Sequence, residues 1–238
     1  MEQDPLDRVK VLTIDLFGTV LDLTGGLVSP IHEVLAPKAE GIDPEAFWTQ
    51  WRARQRIEQY LDTILMLGHS GYLETCRRAL IYCLTGNHIP FSKDDVDELM
   101  GMWQKLAPFE DVGKALKLLQ DSYGLAILSN GDSWLLDHLA ANNIKIDFTA
   151  IISVDSVGVF KPHPSVYRAA AHMLAVDPSE IMMVAAHSFD VLGARACGFR
   201  GAYVNRYDLP FVGTRYRPDI EVDDFDGLAS KLVGTYGS

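Results

Sequence analysis

Five short runs of apolar and β-branched residues recur along this chain, and their spacing restricts its fold more than any other feature. They are KVLTIDLF at 10–17, YGLAILSNG at 123–131, AIISVD at 150–155, EIMMVAAHS at 180–188 and RGAYVNR at 200–206. Runs this short, with little polar alternation, are how strands covered on both faces of a parallel sheet read. Between them lie helical patterns at 111–121, 133–142, 164–174 and 190–197. Strand and helix alternate, and right-handed crossovers then produce a doubly wound, Rossmann-like α/β sheet. Ligands of such sheets sit beyond the carboxyl ends of the strands, so the polar residues ending each run are candidate site residues.

The alternation breaks between residues 22 and 110. PEAFWTQWRARQRIEQYLDTILM and GYLETCRRALIYCLTGN carry apolar positions at three-to-four spacing, and SKDDVDELMGMWQKL follows with Ser92 as an N-cap. This block reads as a helical cap domain inserted after the first strand, over the carboxyl edge of a core formed by residues 1–21 and 111–238. A dimerisation module is compatible with the same composition.

The 238 residues, 48% of them apolar, suffice for a sizeable core, and a net charge of -11 argues against nucleic acid or an anionic membrane as partner. Cys76, Cys83 and Cys197 have no metal-ligand or redox spacing. MEQDPLDRVK contains no apolar leader stretch, and no run is long enough to span a bilayer. A cytoplasmic protein acting on a small molecule is the expectation.

Four positions in the pattern carry chemistry: Asp15 with Thr19; Ser129 with Asn130; Lys161 in VFKPHPSVY; and His187, Ser188 and Asp190 in AAHSFD. Each alone is a weak signal, since strand-end acids also cap helices and Ser-Asn-Gly is a common turn. In this order they resemble the motifs of the haloacid dehalogenase superfamily, and within it those of the L-2-haloacid dehalogenases. Phosphatases of that superfamily carry a second Asp two residues after the nucleophile and paired acids after the fourth strand; this chain has Phe17 and Ala186 there. An alkoxide leaving group would lack a proton donor, and Mg²⁺ would lack ligands, whereas a halide leaves without a proton.

The resemblance implies a role for each position. Asp15 attacks C2 of an L-2-haloacid, forming an ester that water cleaves at the carboxyl carbon to release a D-2-hydroxy acid. Thr19 orients Asp15. Ser129, Lys161 and the backbone after Asp15, beginning at Leu16, hold the substrate carboxylate, while Arg52 and Asn130 receive the halide. Asp190 fixes Lys161 and helps activate water, Tyr167 lies near the substrate, and Phe17, Tyr72 and Phe189 line the pocket. No metal or cofactor is implied, and a homodimer is. Many members have serines and an asparagine where this chain has Ala185, Ala186 and His187, so His187 is the expected holder of the hydrolytic water, in a pocket suited to short haloacids. Arg54 and Arg56 read as a solvated helix face, Asp132 as the N-cap after Gly131, and His163 and Asp155 as loop polar groups. A Mg²⁺-dependent phosphatase-like member and a catalytically silent binding homologue are the alternatives.

Overall fold

The computed structural model describes residues 5–66, 68–211 and 214–234; Met1–Asp4, at the start of the stretch read for a leader, lie outside them. Its centre is a six-stranded, wholly parallel sheet of β1 (Val11–Ile14), β2 (Gly124–Ser129), β3 (Ala150–Ser153), β4 (Ile181–Ala185), β5 (Arg200–Val204) and β6 (Ile220–Val222). The strand order is β3-β2-β1-β4-β5-β6. The chain thus builds outward from β1 on one side through β2 and β3, then crosses back to lay β4 against the other side of β1. That reversal opens a crevice at the carboxyl end of β1, where Asp15 follows.

Every residue of β4 is buried, as are three of the four in β1, which explains why both runs lack polar alternation. The layers on the sheet are α5 (Val112–Leu119), α6 (Ser133–Leu139), α7 (Pro164–Leu174), α8 (Ser188–Ala196) and α9 (Phe225–Val233). β6 and α9 were not anticipated. Ile220–Val222 is too short for a periodic signal, and α9 follows it directly.

The inserted cap consists of α1 (Leu23–Leu35), α2 (Pro44–Leu65), α3 (Tyr72–Gly86) and α4 (Lys93–Gly101). The sequence sets their starts: Asp43 accepts from the amides of Glu45 and Ala46 with Pro44 in the first turn, and Ser92 and Asp95 form a reciprocal capping box. α1 was hidden by Gly25, Gly26 and Pro30, which are poor helix formers. It forms because Asp22 caps it and Leu23, Leu27, Ile31, Val34 and Leu35 bury one face. The two crossings between cap and core lie side by side: Leu21 bridges Pro108, Asp22 N donates to Ala107 O (2.9 Å) and Phe109 N to Val20 O (2.9 Å). An aromatic cluster of Trp48, Trp51, Trp103, Tyr72 and Phe17 then joins the cap to the loop after β1. Among the described residues no helix is long and apolar enough to cross a membrane.

Candidate active site

Asp15 leaves β1 into a tight turn in which the amides of Thr19, Val20 and Leu21 all donate to Leu16 O. The turn needs Gly18 at φ +84°, because a Cβ there would stand 2.8 Å from Tyr207 Oη and 3.0 Å from His187 Cε1. Thr19 is thereby brought back onto the nucleophile: its Oγ1 donates to Asp15 Oδ2 (2.8 Å) and accepts from Ala186 N (2.9 Å). Arg206 braces the turn from behind, donating to Thr19 O (2.7 Å) and pairing with Asp111 (2.8 Å), where the chain re-enters the core.

Lys161 is the electrostatic centre. Its buried Nζ donates to Asp15 Oδ1 (2.9 Å), to Leu128 O (2.7 Å) and to Asp190 Oδ2, so all three ammonium hydrogens are used. Burial alone would raise Asp15, but Lys161, helped by His187, holds its carboxyl well below the usual range. Burial lifts Asp190 above that range, with Lys161 opposing. Burial also works against the Lys161 charge, yet the two carboxylates keep it protonated. Asp15 is thus ionised and aimed into the crevice at neutral pH. Lys161 Nζ already takes one oxygen of each of Asp15 and Asp190, and Ala186 supplies no ligand. The residues do not fit Mg²⁺. Among those described, no group of three His, Cys, Asp or Glu side chains is placed to hold any metal.

The other positions singled out from sequence fall into three sets. Arg52 and Tyr72 come from the cap: Arg52 Nη1 donates to Gln55 Oε1 (2.5 Å) and Tyr72 Oη (3.3 Å), and the Tyr72 ring stacks on Phe17 at 4.4 Å. Ser129 ends β2 and Asn130 follows it; Asn130 Oδ1 accepts from Lys161 N (2.8 Å) and its amide faces Gln59 at 3.4 Å. His187 stands beside the nucleophile, Nδ1 at 3.5 Å from Asp15 Oδ2, with Phe189 on its far side at 5.5 Å between ring centres. Burial pushes His187 down to about 4 although Asp15 opposes this, so the imidazole is neutral at physiological pH.

Several expectations are corrected. The Tyr167 hydroxyl is committed to Asp190 Oδ1 (2.8 Å), and a Cβ on Gly193 would touch its ring, so it positions Asp190 from behind. The Leu16 side chain is wholly buried in the core; the expectation concerned its backbone alone and is unaffected. Asp132 makes no side-chain cap on α6; its carboxylate reaches across to the cap and accepts from Tyr72 N and Leu73 N (both 2.9 Å) at the start of α3. Asp155 accepts from Ser133 N (2.7 Å) and meets His69 of the cap at 3.1 Å. Arg56 is no solvated residue but lines a cavity of about 280 Å³ between cap and core, shared with Arg52, His187 and Phe189. Sequence reasoning missed Gln55 and Gln59, although both follow Arg52 at helical spacing, and Tyr207, which no motif announces.

This arrangement matches known proteins over most of its length. A family model for haloacid dehalogenase-like hydrolases covers residues 9–198. (S)-2-haloacid dehalogenase 4A of Burkholderia cepacia is 30% identical over 86% of this chain and 87% of its own. Haloacetate dehalogenase H-2 of Moraxella sp. (strain B) is 27% identical over 96% and 100%. The L-2-haloacid dehalogenase of Xanthobacter autotrophicus, solved with chloropropionic acid covalently bound, superposes with a TM-score of 0.81 at 26% identity, covering 96% of this chain and 100% of that one. The chain belongs to the haloacid dehalogenase-like hydrolases and, among them, is of the L-2-haloacid dehalogenase type.

Proposed function

We propose that the protein hydrolyses short L-2-haloacids to D-2-hydroxy acids and halide through an ester on Asp15. One observation carries the reading: the nucleophile is held ionised by a buried ammonium, while the position two residues on is Phe17, packed under Tyr72 and unable to donate a proton. Such a site suits a leaving group that departs as a stable anion.

In the first step an Asp15 carboxylate oxygen forms a bond to C2 as the carbon-halogen bond breaks with inversion, and the electron pair leaves with the halide. Arg52 and the Asn130 amide stabilise the developing charge, and Ser129 and the amide of Leu16 hold the substrate carboxylate, with the Lys161 charge behind Asp15 attracting it through space. In the second step water adds to the Asp15 carboxyl carbon and loses a proton, the ester C–O bond breaks, and the oxygen remaining on C2 is protonated. Neutral His187 is the acceptor beside that carbon, with Asp190 behind Lys161. Asp15 returns to its carboxylate.

We read residues 22–110 as the cap, the chain as cytoplasmic, and the working form as a homodimer. The last is supported by an apolar stripe on the outer face of α2, where Ile57, Leu61, Ile64 and Leu65 are all exposed.

The test is halide release from chloro-, bromo- and fluoroacetate and from both enantiomers of 2-chloropropionate, with and without EDTA. Release that survives EDTA, favours the L enantiomer and disappears in Asp15→Asn supports the reading. No release from any of these substrates defeats it, and EDTA-sensitive phosphate release would point to the phosphatase instead.

A further inference from the structure

The cavity beside the site contains a cation that haloacid chemistry leaves unused. Arg56 lies one helical turn beyond Arg52 on α2, so the two guanidinium groups share one face and one cavity. Other cations nearby have anions: Lys161 has Asp15 and Asp190, Arg54 has Glu58, and Arg206 has Asp111. Among the described residues no carboxylate pairs with Arg56, and its Nε is buried with no hydrogen-bond partner. The charged or titratable groups that act on it are Arg52, Tyr60, Tyr207 and Tyr72, with His187 facing it across the cavity, none of them anionic near neutral pH. Burial, and then the Arg52 charge, both work against a cation at this place. A half-buried guanidinium held against such opposition is in want of an anion.

The rest of the cavity describes what could bring one. Leu23, Trp48, Phe189 and Leu209 supply apolar walls, while Arg52 and His187 belong both to the cavity and to the reaction site. A substituent on C2 of a molecule bound at Asp15 therefore passes His187 into an apolar space whose unpaired polar group is Arg56. Such a space selects a short carbon stem with an anionic tip.

Resting on the haloacid reading above, we infer that Arg56 is a specificity residue for a second carboxylate, and that the favoured substrates are short 2-halo dicarboxylic acids. The reacting bonds are those already described; the second carboxylate contributes binding only.

The experiment compares kcat/KM for L-2-chlorosuccinate and L-2-chlorobutyrate, which differ by a carboxylate in place of a methyl group, with chloroacetate as control. Wild type should favour chlorosuccinate by at least about tenfold, the value of one charge-assisted hydrogen bond. Arg56→Met should erase that preference, mainly through KM for chlorosuccinate, and Arg56→Lys should restore part of it. If chloride appears from chloroacetate while wild type handles chlorobutyrate as well as chlorosuccinate, the inference is overturned and the haloacid reading stands. An equal loss on both substrates in Arg56→Met also overturns it, making Arg56 a general anchor. No chloride from any of the three removes the underlying reading itself.

Discussion

Replacing Lys161 by Met keeps the unbranched stem, one atom shorter, and removes the charge shared by two buried carboxylates. Lys161 and Asp190 are each 1% exposed and Asp15 6%, so water screens this cluster poorly. A unit charge 2.9 Å from Asp15 Oδ1 corresponds to about 6 kcal/mol at an effective dielectric constant of about 20. That is equivalent to about four pH units in the Asp15 titration, of which water entering the vacated space cancels part. The pair must then share a proton that wild type does not bind. The expected result is a loss of kcat/KM of at least about 10³-fold at pH 7 and an acid limb moved upward by at least about two pH units, with partial recovery near pH 9. Stability gives an independent reading. In wild type the depressed Asp15 contributes stability above the ordinary carboxylate pKa and loses it as pH falls through its native value. In the variant the buried carboxylates prefer to be protonated, so the stability deficit grows as pH rises from about 4 to about 8. Steady-state halide release across pH 5 to 10, with urea unfolding at both extremes, measures both effects. A variant whose pH profile runs parallel to wild type at a lower level would show that Lys161 only anchors substrate, and the reasoning about Asp15 would fail.

His187→Ala should slow ester hydrolysis by about 10²-fold while leaving its formation in place, so intact-protein mass spectrometry should find a substrate-derived adduct on Asp15; no accumulation assigns the water to another residue. Because native His187 is depressed to about 4, wild type binds fewer protons than its unfolded chain and loses stability as pH falls from about 6.5. The variant should lose less over that window in the same urea titration. Asp132→Ala removes two hydrogen bonds between core and α3 and should cost about 1–2 kcal/mol, seen as a Tm lower by several degrees together with a raised KM; an unchanged KM would make the clamp purely structural. Ile64→Glu should convert a dimer to a monomer in sedimentation velocity, and an unchanged sedimentation coefficient would place any interface elsewhere.

The parts of this protein legible in its sequence were those where one residue's chemistry is written at a periodic landmark. Asp15 follows β1, Ser129 ends β2, Lys161 sits in the loop after β3 and Asp190 in the first turn of the helix after β4, and the sheet brings those ends together. Contacts between layers were not legible. Asp132 reads as an ordinary cap because the sequence places it before α6, whereas the helix whose amides it receives lies 60 residues earlier. Arg56 fails for the opposite reason: its neighbours Arg52 and Arg54 make it look like one of a charged row, and only the tertiary fold separates a paired surface arginine from one turned into a cavity. α1 was concealed by residues of low helix propensity, and packing overrode that preference.

The side-by-side crossings at Leu21 and Pro108 make the cap a detachable component in the architectural sense. Both of its ends leave the core through a single point, and that point is fastened from the core side by Arg206, which holds Thr19 O and Asp111 together. Insertions, deletions or wholesale exchange of residues between the two crossings change what Arg52, Arg56 and Tyr72 present to a substrate. The turn carrying Asp15 keeps its own bracing throughout, so over evolutionary time substrate choice can drift in one part of the chain while the bond-making group stays in register in the other.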